Sequence, residues 1–489
     1  YSLHMGATAV RFNPSRAADL QNLIARLAPA LENSNTISKQ NRRGLAEIRR
    51  LAEAALAAPT SVARDEKVLS LLEVTLAIDN LDRPTIPRHF DGFMTPVALL
   101  QFHRPIGIGE KPAANLQPGP SPDLSRHDPE PSTFWRRPAR IADENLAIGF
   151  DRPALPDFTN TVCHYAAPKE SSGMNPGFEV DCGGARVKWK FGEVSSEPLA
   201  ARIFWALGFH ADPTDFVDGL KIAYDRRIFT QFNSRRPVST KFTALWVIPV
   251  GSMNLQRFHD PFACVKSAEL RNGARWSGAE LKQHLLQGTN FLPEVEAQID
   301  HLVMVPANVQ VKEARGKSIG PWDYGQLDHA DLRELRGAGL LAAWLGFFDT
   351  RFDNTKLRLA GPKSNPRLEH YFSDLGGGLG RTTGLISWHG EDVNAFPWTF
   401  TAPPLDQGKG HLARPLRIVG YTPVVRTAAF AAMTIDDARW MARLIGQLTE
   451  SQITAALVAS GYDAPTVSLY TRKLISRRDR MMKDLRVEP

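Results

Sequence analysis

Asp349, Asn354 and Asp374 are the residues of this chain whose types and spacing could do chemistry. They lie in Phe348-Asp349-Thr350-Arg351-Phe352-Asp353-Asn354 and, about twenty residues on, in Tyr371-Phe372-Ser373-Asp374-Leu375-Gly376. Phosphoryl transfer needs one carboxylate to orient or deprotonate the attacking hydroxyl. It also needs an amide oxygen and a second carboxylate to hold the magnesium that bridges nucleotide phosphates. Asp349 fits the first role, and Asn354 and Asp374 fit the metal roles. Asp353, beside Asn354, is an alternative base or a further metal ligand.

A second group lies upstream. Gly177-Phe178-Glu179-Val180-Asp181-Cys182-Gly183-Gly184-Ala185-Arg186-Val187-Lys188-Trp189-Lys190 reads as two strands joined by a Gly-Gly turn. Ser196 then opens a helix running to Gly208, with Glu197 on the stripe formed by Ala200, Ala201, Phe204 and Leu207. An acid on a buried stripe needs a partner, and a strand lysine that contacts phosphates is the partner this chemistry uses. Alternation puts Lys188 and Lys190 on one side of the strand, so spacing does not choose between them. Lys190, nearer the helix, is preferred with Glu197, and Glu193 is the fallback acid. The competing reading makes both lysines edge-strand charges and Glu197 a helix-dipole acid.

The elements that must position these residues follow from periodicity. The apolar run Leu340-Leu341-Ala342-Ala343-Trp344-Leu345-Gly346-Phe347-Phe348 predicts a helix delivering Asp349, and Glu369-His370-Tyr371-Phe372 predicts a short strand delivering Asp374. Residues from about Pro14 to Asn80 predict helices. Their stripes are Leu20, Ile24, Leu27 and Leu31; Leu45, Ile48, Ala52 and Ala55; and Leu69, Leu72 and Leu76. Arg42, Arg43, Arg49 and Arg50 read as a solvated face. Asp82 to Asn160 is Pro-rich and irregular, but Phe134, Trp135 and Phe150 predict that part of it docks, since a free linker rarely keeps large aromatics. The expected division is residues 1–81 helical, with 1–5 an expression remnant, 82–157 a Pro-rich linker or wrap, 158–250 a small lobe and 251–489 a mainly helical large lobe.

Composition is compatible with this. At 489 residues and 43% hydrophobic content the chain can build more than one core. A formal charge of +7 suits anionic ligands, but Lys and Arg are scattered, so nucleic acid is a disfavoured partner. Cys163, Cys182 and Cys264 show no zinc spacing, and one bridge such as Cys163 to Cys182 is allowed. No apolar run approaches the roughly twenty residues of a membrane span. No export signal is visible either, so the compartment, cytoplasm or beyond it, stays open. A Walker loop and a GxSxG elbow are both missing. His389 and His411 read as loop histidines, and Asp436, Asp437 and Glu450 as helix-start acids.

Three segments carry a resemblance. Met174-Asn175-Pro176-Gly177-Phe178, then Lys190-Phe191-Gly192-Glu193 with Ala201-Arg202-Ile203-Phe204-Trp205-Ala206-Leu207-Gly208, and Ser373-Asp374-Leu375-Gly376-Gly377-Gly378-Leu379-Gly380-Arg381 resemble a family of uncharacterised bacterial kinase-like proteins. That family is similar in turn to HipA-type and secretory-pathway atypical kinases. The resemblance, over roughly Pro168 to Leu485, implies an α+β bilobal atypical protein-kinase-like fold with an N-terminal helical extension. It also implies ATP and Mg2+ as cofactors and an unidentified protein substrate, with Asp349 catalytic and Asn354 and Asp374 on the metal. AMP transfer, a small-molecule acceptor and a pseudokinase scaffold are the alternatives. The chain departs from the pattern in lacking a His-Arg-Asp triplet, in placing Leu375 where Phe is usual, and in having no GxGxxG. Cover for the nucleotide is therefore assigned to Gly173, Met174 and Asn175 within Ser171-Ser172-Gly173-Met174-Asn175.

Overall fold

The computed structural model describes residues 2–5, 8–32, 39–82, 128–150, 154–169, 177–231, 260–312, 317–362, 366–383, 387–389, 393–394, 396–398 and 427–488. It also describes the single residues 416, 418, 421, 423 and 425. The fold is mixed α+β, with several small antiparallel sheets.

The chain begins with the hairpin β1 (Ser2–Met5) and β2 (Thr8–Arg11), followed by α1 (Ala17–Glu32), α2 (Lys39–Leu56) and α3 (Ser61–Asp82). Leu3 is buried among the helices, so residues read as an expression remnant here contribute to a core. Leu20, Leu27, Leu45, Ile48, Ala52 and Ala55 face inward at the expected spacing. On α3 the buried line runs through Leu71, Val74, Ala77 and Ile78, while Leu69 is 51% exposed. That helix carries apolar residues on several sides, so 3.6-residue spacing alone could not select its inner face. Arg49 and Arg50 pair with Glu53 and Glu47 along α2.

The strand-rich part comprises β3 (His164–Pro168), β4 (Gly177–Cys182), β5 (Ala185–Lys190), α4 (Ser196–Ala206), β6 (Asp215–Val217) and β7 (Leu220–Ala223). It continues with β8 (Val265–Leu270), β9 (Arg275–Trp276), α5 (Gly278–Leu285), β10 (Leu286–Gln287), β11 (Asn290–Phe291), β12 (Ile299–Met304) and β13 (Ala307–Val311). One antiparallel sheet has the order β3-β4-β5-β13-β6 and another β7-β12-β8-β9, and together they enclose Phe178, Trp189, Ile222, Leu302 and Val309. Because β13 lies between β5 and β6, this unit extends to Val311, across the boundary expected at residue 250. Gly183 and Gly184, at φ +54° and +80°, turn the β4-β5 hairpin, the backbone a two-residue turn of this kind needs. Cys163 and Cys182 are bridged, and Cys264 is free and buried.

The remainder is built on α6 (Arg333–Leu345), buried along nearly all its length. Strands β14 (Lys317–Gly320), β15 (Thr355–Ala360) and β16 (Arg367–Phe372) form a sheet beside it, and β17 (Arg381–Thr383) pairs with β18 (Ser387–His389). Helices α7 (Ile435–Gly446), α8 (Glu450–Ala459) and α9 (Ala464–Leu485) complete the core through Trp440, Ile453 and Tyr470. Phe134, Trp135 and Phe150 are buried against this core, and the Trp135 indole donates to the Leu207 carbonyl at 2.8 Å. The aromatic residues of the Pro-rich segment are therefore docked. Residues 83–127 lie outside the described residues.

Candidate active site

Strand alternation brings Lys190, the last residue of β5, into the interior, where it is 2% exposed. Its Nζ donates to Glu193 at 2.7 Å, to Glu197 at 2.8 Å and to Asp374 Oδ1. Glu197 sits in the first turn of α4 and is itself 1% exposed. The two lysines that spacing left undecided thus part company. Lys188 Nζ reaches Gln310 on β13 at 3.5 Å, while Lys190 takes all three carboxylates.

Glu197 is braced from the neighbouring strand. Asn308 and Gln310, two residues apart on β13 and so on one face, donate to its two oxygens at 3.1 and 3.0 Å. Asn308 also donates to the Gly192 and Glu193 carbonyls. Alternation in Ala307-Asn308-Val309-Gln310-Val311 was the signal for these two polar residues, and the sequence reading did not use it.

Asp374 follows β16 with left-handed backbone, φ 53°, and Glu193 holds φ 54°. Aspartate tolerates this region better than most residues. The glycines after Asp374 fit into the space left by the other site residues. A Cβ on Gly376 would collide with the Glu193 side chain, and one on Gly377 would stand 3.0 Å from the Asp349 Cβ. The Ser196 hydroxyl donates to the Gly376 carbonyl at 2.6 Å, fastening α4 to this turn.

The turn also joins the two sequence groups. The Phe348 amide donates to the Gly377 carbonyl at 2.9 Å, and the Ser373 amide donates to the Asn354 carbonyl at 3.0 Å. Helix α6 ends at Gly346, φ +65°, which releases the chain into the loop carrying Asp349 and Asn354. Asn354 Nδ2 donates to the Asp349 carbonyl at 2.9 Å, which ties the two residues of this loop together. Arg351 donates to Asp349 at 2.8 Å and pairs with Asp353 at 3.0 Å. One guanidinium therefore orients both carboxylates that sequence offered as the base. Asp212, on no motif, binds Lys356, Arg358 and the Ser373 hydroxyl and so anchors the residue preceding Asp374.

Three carboxylates around one ammonium dominate the electrostatics. Burial opposes the charge on Lys190, but Asp374, Glu193 and Glu197 outweigh it and hold its pKa well above the ordinary value. Burial also resists ionisation of Asp374, and Lys190 with Lys188 overcomes this and holds it well below the usual carboxylate range. Burial pushes Glu193 up to about 7, and Lys190 only partly offsets this. Lys169, just past β3, is a further basic group here: burial and the nearby charges of Lys188 and Lys190 bring it down to about 7. Nothing in the sequence pattern singled it out.

The same three acids that surround the Lys190 ammonium are a group that could hold a metal ion. The Asp374 carboxylate is one-third exposed and uses Oδ1 for Lys190, and the acids Glu193, Glu197 and Asp374 converge closely enough to share an ion. Gly173, Met174, Asn175 and His411 lie outside the described residues. His389 ends β18, opposite Arg381 and away from these motifs in the chain. Asp437 forms a capping box with Thr434 at the start of α7, Asp436 stands beside it in that first turn, and Glu450 begins α8. No family model, curated protein or solved structure matches the chain.

Proposed function

We propose that this chain is an ATP- and Mg2+-dependent phosphotransferase of atypical kinase-like, bilobal design, acting on a hydroxyl of a protein substrate. The observation that supports it most is the contact of Lys190 with both Glu197 and Asp374, two residues separated by most of the strand-rich part and α6. A lysine fixed by a helix acid beside a metal-binding aspartate is what nucleotide phosphates require.

Magnesium would be held by Asp374 and the Asn354 amide oxygen, and it would neutralise charge on the phosphates. Lys190, kept in place by Glu197, positions those phosphates. Asp349, oriented by Arg351, accepts the hydrogen bond of the acceptor hydroxyl and takes its proton as that oxygen bonds to the γ-phosphorus and the bond from the γ-phosphorus to the β–γ bridging oxygen breaks, ADP leaving with the electron pair. The strand unit and the α6 core supply the two walls between which these groups meet.

The test is incubation of the full chain with ATP labelled separately at the α and γ phosphates. Label from γ on protein supports the proposal. Label from α means AMP transfer, γ label on a small acceptor alone means a metabolite kinase, and no transfer with retained ATP binding means a scaffold.

A further inference from the structure

A second polar cluster lies apart from this site. Glu73 on α3, His329 in the short turn before α6 and His370 on β16 come from three distant parts of the chain, and their ligand atoms converge in the interior. His329 Nε2 is 2.8 Å from one Glu73 oxygen, and His370 Nε2 is 3.1 Å from the other. All three residues are more than nine-tenths buried. Phe134 stacks on the His370 ring with centroids 3.9 Å apart, and Trp322 meets both imidazoles edge-on, so the cluster has apolar walls.

Hydrogen-bond roles narrow what holds these atoms together. His329 Nδ1 is 2.6 Å from the Asp323 carbonyl oxygen, which can only accept, so the ring proton is on Nδ1. In the neutral ring Nε2 then presents a lone pair to a carboxylate oxygen. His370 turns Nε2 to Glu73, while its Nδ1 meets no partner at full hydrogen-bond geometry among the described residues. Two imidazole nitrogens and a carboxylate converge in a dry interior, where a cation shared between them, a proton or a metal ion, offsets the cost of the buried charge.

We propose that Glu73, His329 and His370 form a buried site for a divalent transition metal of the zinc class. Two imidazoles and one carboxylate form a donor set that suits zinc and disfavours magnesium or calcium. The bond from His329 Nδ1 to a backbone carbonyl is the outer contact that fixes a metal-binding imidazole and its tautomer. The metal would join the N-terminal helices to the sheet beside α6.

The test is the metal content of the full chain, produced with added zinc, purified without chelator and desalted. About one zinc per chain is expected, as for a site whose ligands the fold brings together. His329→Gln and His370→Gln should each lose it, whereas Asp374→Ala, in the other acidic cluster, should retain it. Should the histidine variants fail to fold, zinc-edge X-ray absorption on the wild type reads the shell directly: two imidazoles and a carboxylate at about 2.0–2.2 Å. Wild-type protein without zinc, a shell lacking imidazole, or zinc lost in Asp374→Ala but kept in His370→Gln would overturn the assignment. The cluster would then be an ion pair bridged by a proton.

Discussion

Lys190 of β5 and Glu197 of α4 form an ion pair of 2.8 Å in which both side chains are almost wholly buried. A pair so placed costs desolvation on both sides, and Asn308 and Gln310 offset part of it with hydrogen bonds to the acid. Removing one member is far worse than removing both. Lys190→Ala, which leaves Glu193, Glu197 and Asp374 facing one another, should lower stability by about 3–5 kcal/mol. Lys188→Ala should cost much less. Urea unfolding of the two variants decides between them, and equal losses would count against Lys190 as the centre of the site.

Asp374→Ala should remove magnesium-dependent nucleotide binding. With Mg-ATP at a hundred times its dissociation constant, wild type should gain about 2.7 kcal/mol in thermal unfolding. A variant that gains as much would remove Asp374 from the metal site.

Asp349→Ala should bind Mg-ATP like wild type and transfer phosphate roughly a hundredfold more slowly or worse, the usual loss for a positioned base. Asp353→Ala, which removes only the second partner of Arg351, should be the milder change. Radiolabel incorporation measured on both variants checks the order, and the reverse order moves the base to Asp353.

The pH behaviour follows from Lys169. Its folded pKa of about 7 lies below that of a free lysine, so between these values the unfolded chain holds a proton the folded chain lacks. This term therefore makes stability rise with pH above about 7. Phosphate charge beside Lys169 raises its pKa again, so Mg-ATP binding at pH 8 should take up protons at this lysine. Calorimetry in buffers of different ionisation enthalpy measures the uptake, which Lys169→Met should reduce. Heats independent of buffer would be the contrary result.

The Cys163–Cys182 bridge closes a loop across 19 positions and should contribute about 3 kcal/mol. Reductant, or Cys163→Ser, should lower the midpoint of thermal unfolding accordingly. An unchanged midpoint would mean that the two thiols are not joined in solution.

Much of the arrangement was legible because it is local. The Gly-Gly hairpin, the alternation that turns Lys190 inward and the helix that carries Glu197 follow from neighbouring residues. The α6 run ending before Asp349 is local in the same way. What escaped depends on distant partners. Asn308 and Gln310 matter because β13 inserts between β5 and β6, and Asp212 because Lys356 and Arg358 arrive from another sheet. The inner face of α3 was misjudged for a related reason: the sheet it covers is more than two hundred residues away.

That sheet meets α3 with nothing in between. Gly320 of β14 lies so near the Ala77 carbonyl that any side chain there would strike the helix backbone, and Asn80 donates to the Pro321 carbonyl at 3.0 Å. Gln40 of α2 adds a bond to the Ile319 carbonyl at 2.9 Å, and Ile319 and Leu357 share their core with α1, α2 and α3. The opening helices are thus the other half of the β14-β15-β16 layer. A fragment beginning after residue 82 would expose the face those two residues bury, so shortening the chain from its start should yield aggregation instead of a smaller folded protein.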